Sequence, residues 1–161
     1  MTRRRSKSAG QALAEFALVA PFFFLLLLGI IEAGRFIFYY EMLSSATREG
    51  ARYAIVHGAR AIDLLPSGPN PPWGGTNTID PYGDNVKERV RDAAIDLPGT
   101  SELVFQSVDG TECDPSNTCF WYTNNSRGEK VRVAVSFNYL AIIPVLPEIT
   151  VSAESTLVIN N

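Results

Sequence analysis

From Phe16 to Ile31 the chain carries no charged residue, and between Lys7 and Glu32 the only charge is Glu15. A helix from Gln11 to Ile31 runs about 31 Å at ~1.5 Å per residue. That matches the hydrocarbon core of a bilayer, roughly 30 Å. The pattern predicts a membrane-spanning helix. Pro21 lies inside it and removes one backbone hydrogen bond, a loss that membrane helices tolerate better than soluble ones. No proline interrupts the chain between Ile31 and Gly58. Phe36, Tyr39, Tyr40, Leu43, Ala46, Thr47, Gly50 and Ala54 fall on i, i+3, i+4 spacings, so the helix is expected to continue to His57 and Gly58. Glu32 and Arg35 are three residues apart and placed to pair, as are Glu49 and Arg52. Phe36, Phe38, Tyr39 and Tyr40 sit where an interfacial aromatic belt belongs, or where a neighbouring subunit would pack.

The pattern then changes. Residues 66–83, PSGPNPPWGGTNTIDPYG, are a Pro/Gly-rich loop, with Trp73 and Tyr82 as side chains to pin it. Asp84 is expected to cap a second helix, DNVKERVRDAAIDL, with an apolar stripe of Val86, Val90, Ala93, Ala94 and Leu97 and a solvated face of Lys87, Glu88 and Arg91. Pro98-Gly99 ends it. Beyond it the period becomes two. ELVFQSV (102–108) and CFWYT (119–123) are candidate strands, with Asp109-Gly110 turning the chain between them. In EKVRVAVSFNYL (129–140), Val131, Val133, Val135 and Phe137 share one side. EITVSAESTLVIN (148–160) repeats the alternation with Ile149, Val151, Ala153, Leu157 and Ile159. The expected fold is α+β: a long amino-terminal transmembrane helix continuing into the periplasm, then a small antiparallel sheet with one further helix. The expected division is a basic stretch at 1–10, the helix at 11–58, a linker at 59–83 and an extracytoplasmic α+β domain at 84–161.

Charge adds an orientation. The net charge of −3 gives no nucleic-acid signal. Arg3, Arg4, Arg5 and Lys7 stand together ahead of the apolar run, and a basic amino terminus stays in the cytoplasm. The rest of the chain is then expected outside it, where disulfides persist. Cys113 and Cys119 enclose the short loop CDPSNTC and are placed for a disulfide, worth roughly 2.4 kcal/mol by loop-closure entropy. Two free thiols are the alternative.

Catalytic and metal motifs are missing. The chain has no G-x-S-x-G, P-loop, H-E-x-x-H or Cys–His pair, so no catalytic residue, metal or cofactor is assigned. His57, the only histidine, suits a helix C-terminus. Asp109, Glu112 and Asp114 cluster without the spacing of a calcium loop and read as a solvated acidic turn. Asn124-Asn125-Ser126 fits a glycosylation sequon, which would carry little weight if the source is bacterial.

Glu15 has three readings. A cleaved secretory signal fits poorly, because the apolar run is too long and no clean cleavage site follows. A plain anchor explains the apolar run and the arginines, but a carboxylate deep in lipid costs about 2.5–3.5 kcal/mol unless it reaches the membrane edge. In the third, the chain is cut between Gly10 and Gln11. Glu15 then lies about 6 Å along the axis from a new α-amino group and can pair with such an amine, best that of a neighbouring subunit. The buried charge becomes a device for register, as polar groups in coiled-coil seams are.

GQALAEF, with Gly10 at the cut, Glu15 and Phe16, resembles the prepilin-peptidase site of pilin-like proteins. The longer run through Pro21, EAGR (32–35) and REGARYA (48–54) resembles TadE-like minor pseudopilins of the bacterial tight-adherence (Tad/Flp) pilus system. Phe16 stands where many pilins have tyrosine. The resemblance covers residues 10–58 and implies a pilin-like plan and a non-enzymatic assembly subunit, processed by a prepilin peptidase at Gly10–Gln11. It implies partners among other pilin and pseudopilin subunits, an inner-membrane platform with its ATPase, and membrane lipid. The implied place is the bacterial inner membrane, with entry into a surface pilus. TadG-type relatives share such amino termini uncut, which leaves a permanently anchored periplasmic binding module as the alternative.

Overall fold

The computed structural model describes residues 8–59, 67–69, 80–94, 97, 103–113, 119–142 and 147–160. Among these residues five elements follow in chain order: α1 (Ser8–Val56), α2 (Asp84–Ala93), β1 (Val104–Gln106), β2 (Lys130–Tyr139) and β3 (Ile149–Val158). The strands form one antiparallel sheet in the order β1-β2-β3. The α+β class expected from the sequence is therefore the class observed, with the long apolar helix, the small sheet and the one short helix in the expected order.

α1 is a single helix of 49 residues, about 73 Å at ~1.5 Å per residue, and it runs through Pro21 without a break. Its two halves live differently. From Gly10 to Ile31 every residue is exposed except the half-buried Ala20. From Glu32 onward one side is packed: Leu43, Ala46, Thr47, Gly50, Ala51 and Ala54 are all buried, on the i, i+3, i+4 spacing of one helix face. Tyr40, placed on that stripe by periodicity, is instead 46% exposed. The aromatic group divides. Phe36 and Tyr39 turn inward onto Tyr139, with ring centroids 5.7 Å apart in both pairs, while Phe38 and Tyr40 point out.

The packed half lies on one face of the sheet. Val131, Val133, Val135 and Phe137 are buried on that face, as their alternation predicts. α2 wedges beside them through Val86 and Val90. Gly50 lets the two helices approach: a Cβ there would stand 2.4 Å from Val90 Cγ2. The opposite sheet face is polar, with Arg132 Nη2 2.6 Å from Glu154 Oε2 and Thr150 Oγ1 donating to Asn138 at 3.1 Å.

Several local expectations are corrected. Asp84 does not cap α2. Gly83 holds the N-cap position at φ 74°, and the cap is the Asp80 carboxylate, which accepts from the Asp84 N–H at 2.6 Å and the Asn85 N–H at 3.2 Å. A glycine turn lets a carboxylate four residues back reach the orphan donors of the first helical turn. α2 ends at Ala93, which is exposed, and Lys87 is buried on a 2.8 Å ion pair with Asp84 rather than solvated. Residues 119–123 are not a strand. They touch β2 through one bridge, Trp121 to Val131, and put Phe120 and Trp121 into the core from a turn. The indole of Trp121 is held between two glycines of positive φ, Gly68 and Gly83, where added Cβ atoms would fall 2.5 and 2.7 Å from its ring. Trp73 lies outside the described residues.

Of the two i, i+3 ion pairs expected along α1, Glu32–Arg35 forms at 3.3 Å. Glu49 and Arg52 make none among the described residues. His57 ends the helix half-buried, stacked on Tyr53 at 3.8 Å, with Nδ1 2.9 Å from the Tyr53 carbonyl oxygen.

Candidate assembly and membrane-exit site

The residues singled out by the sequence fall into two places. Gly10, Gln11, Glu15 and Phe16 stand together at the start of α1, all exposed. Helical spacing brings Gln11 over Glu15, and the Gln11 side-chain amide donates to Glu15 Oε1 at 3.2 Å. The Gly10–Gln11 peptide bond is itself inside the helix, which begins at Ser8. Glu15 is thus a charge on an apolar cylinder, one turn from Gln11.

Cys113 and Cys119 come together at the mouth of the sheet, Cys113 half-buried and Cys119 buried. Both are thiols in this structure, with Cys113 hydrogen-bonded to Cys119. That contact first, and burial second, push the Cys113 thiol up, while the same contact lowers Cys119. The turn beside them is held by Asp109, whose carboxylate accepts from the Thr111 N–H at 3.0 Å and hydroxyl at 2.7 Å. Those bonds keep the Asp109 carboxyl below its ordinary range. Asp114 lies outside the described residues. Among those described, no group of three His, Cys, Asp or Glu is arranged to hold a metal.

The sequence did not single out the site that fastens the domain to the helix. Glu32, the first charge after the apolar run, is only 7% exposed. Its carboxylate accepts from the Tyr139 hydroxyl at the end of β2, from the Ile142 backbone N–H at 3.2 Å and from Arg35 Nη1 at 3.3 Å. The Arg35 guanidinium lies 5.7 Å from the ring centroids of both Tyr39 and Tyr139. A buried carboxylate is stable only when its lone pairs are taken up by donors and a cation, and here both are present. Tyr139 is pushed up to about 12, by burial first and by its bond to Glu32 second. The pair ties residues 107 apart in sequence. The one local signal was a glutamate closing an uncharged run, and it reads equally well as the membrane edge.

This geometry is a long helix, apolar on all sides for its first half, clamped to a small domain along its second. Residues 10–52 match the family of TadE-like proteins. The TadE-like region therefore spans the exposed half of α1 and most of the packed half, ending short of the sheet. The match bears out the resemblance drawn from GQALAEF, EAGR and the residues between. The family is a structural one associated with Tad pili. α1 also contains a stretch long and apolar enough to cross a membrane once. No curated protein and no solved structure matches the chain.

Proposed function

We propose that this TadE-like chain is a minor pseudopilin, a structural or assembly subunit of a Tad/Flp-type pilus or secretion system. The observation that carries the reading is the first half of α1: a TadE-like, membrane-length helix exposed on every side and bearing one carboxylate, Glu15. A helix apolar all round needs lipid or other helices about it. Both are supplied if the subunit waits in the inner membrane and later enters a helical filament core.

In this reading a prepilin peptidase cuts between Gly10 and Gln11. The new amine at Gln11 meets Glu15 of a neighbouring subunit, and Phe16 packs beside it. The Gln11 amide on Glu15 already marks that carboxylate as within reach of a group at position 11. The basic residues before Ser8 hold the amino terminus in the cytoplasm, and the sheet-bearing domain lies outside it. Platform proteins and their ATPase drive extraction. Thiol–disulfide exchange with an oxidised disulfide donor of that compartment joins Cys113 to Cys119, and the donor leaves as its dithiol.

The test is the intact mass and amino-terminal residue of the protein from native membranes that contain the peptidase. A chain beginning at Gln11 supports processing, and one retaining its leader overturns it. A second reading, a permanently anchored binding module, draws on one observation: the Gly10–Gln11 bond is helical and must unwind to enter a peptidase. In that reading the leader stays and Glu15→Gln has no effect on pilus assembly.

A further inference from the structure

The end of the sheet nearest the membrane exit carries apolar side chains that are exposed among the described residues. Outside α1, the two most exposed large apolar residues among those described are Leu140, at 77%, and Ile142, at 59%. They directly follow Tyr139, the last residue of β2. Their level is fixed: the Ile142 N–H bonds the carboxylate of Glu32, the first residue beyond the uncharged run. Ile149, at the start of β3 and paired with Tyr139, is 37% exposed at the same level. Between this end of the sheet and the helix runs a shallow, mostly apolar cleft of about 360 Å³, lined by Gly29, Glu32, Ala33, Phe36, Ile37, Tyr139 and Ile149.

We infer that this sheet end is a second membrane contact, with Leu140, Ile142 and Ile149 seated in the acyl-chain boundary of the leaflet on the domain side. The inference rests on reading residues 11–31 as a membrane span, and goes beyond it by adding the domain to the anchor. Three observations select lipid as the occupant. The patch is continuous with the exposed apolar surface of α1 through Gly29, Ala33 and Ile37. Beside it Arg35, 5.7 Å from the Tyr139 ring centroid, keeps a charged head within reach of the lipid headgroups. One backbone donor of the patch, the Ile142 N–H, is already satisfied inside the protein, as a water-poor layer requires. Clustered apolar side chains at one end of a small domain mark a contact rather than ordinary surface.

The experiment uses the full chain reconstituted in phosphatidylethanolamine–phosphatidylglycerol vesicles, with and without phosphatidylcholine brominated on the upper acyl chain. Leu140→Trp and Ile142→Trp are compared with Thr156→Trp, exposed near the far end of β3 and about 23 Å from Ile149 at ~3.3 Å per residue. The emission of the parent protein is subtracted in each case. The expected result is that Leu140→Trp and Ile142→Trp lose most of their added emission to bromolipid, while Thr156→Trp loses none. Flotation with the vesicles reads the span separately. Protein that does not float overturns the span and this inference together. Protein that floats while both sheet-end variants are quenched no more than Thr156→Trp overturns the inference alone. So does an emission shift that grows with protein-to-lipid ratio and ignores bromine, which assigns the patch to a second copy of the chain.

Discussion

Glu15, in the exposed half of α1, and Glu32, where the packed half begins, are handled in opposite ways. Glu32 is enclosed by the Tyr139 hydroxyl, the Ile142 N–H and Arg35. Glu15 is exposed and accepts from the side-chain amide of Gln11. A carboxylate satisfied within its own chain holds that chain together. On the proposed reading, one exposed on a membrane-length helix meets a donor from a neighbouring subunit. The difference separates a residue that builds the subunit from one assigned to joining subunits.

The sharpest way to break this comparison is to remove each carboxylate in turn. If the proposed function holds, Glu15→Leu is expected to abolish entry into the pilus, read by the content of this chain in sheared surface filaments, while leaving the melting of the sheet-bearing domain unchanged. A melting change equal to that of a Glu32 variant would make the two glutamates the same kind of residue. Glu32→Leu is expected to lower the domain's melting temperature more than Gly50→Val or Tyr139→Phe, because two donors and a cation lose their acceptor together. Limited proteolysis between α1 and the sheet should become faster in the same variant.

A second prediction probes the packed half without touching charge. At Gly50 a Cβ meets Val90 Cγ2 at 2.4 Å. Gly50→Val should therefore cost about 1–3 kcal/mol through overpacking, measured by denaturant unfolding in detergent. A mid-helix glycine replaced on the exposed half, Gly29→Ala, meets nothing within 4 Å and should not destabilise. Smaller again is Tyr139→Phe, which deletes one donor to a charged acceptor and should cost about 1.5 kcal/mol. Arg35 and the Ile142 N–H remain on Glu32, so the domain stays seated.

The smallest effect is a pH dependence. Tyr139 is pushed up to about 12 in the folded protein, above its ordinary value near 10. Between those values the folded state binds the proton that the unfolded state has released, so stability falls as pH rises. The contribution is complete below pH 10 and lost as pH passes 12. Tyr139→Phe should flatten that part of the stability profile, and a profile identical in both proteins would remove Tyr139 from the account.

What the sequence made legible follows from the range of each signal. α1, β2 and β3 are long, so their positions and most of their inward residues are readable from spacing, with Tyr40 and Ile149 the exceptions that end up exposed. The residues of the Gly10–Glu15 stretch are readable together because they lie within little more than one helical turn. The Glu32–Tyr139 contact is not, since neither residue carries a local mark of the other across 107 positions. Asp80 escapes notice as a cap for a related reason. Adjacency favours Asp84, the aspartate beside the helix, while Gly83 folds an earlier one back over the same donors. Phe120 and Trp121 suggest a strand because buried aromatic residues often form one, whereas here a turn delivers them.

One mechanical property follows from the unbroken course of α1. The shaft that crosses the apolar layer is the same shaft that carries the domain, and among the described residues it has no joint. Axial pull on the domain is delivered undiminished to the first turn, and a twist at one end is a twist at the other. Advancing the helix by one residue raises the domain by ~1.5 Å and swings it by about 100° around the axis. Wherever neighbouring helices lock the first turn in place, the azimuth of the domain at the other end is already decided.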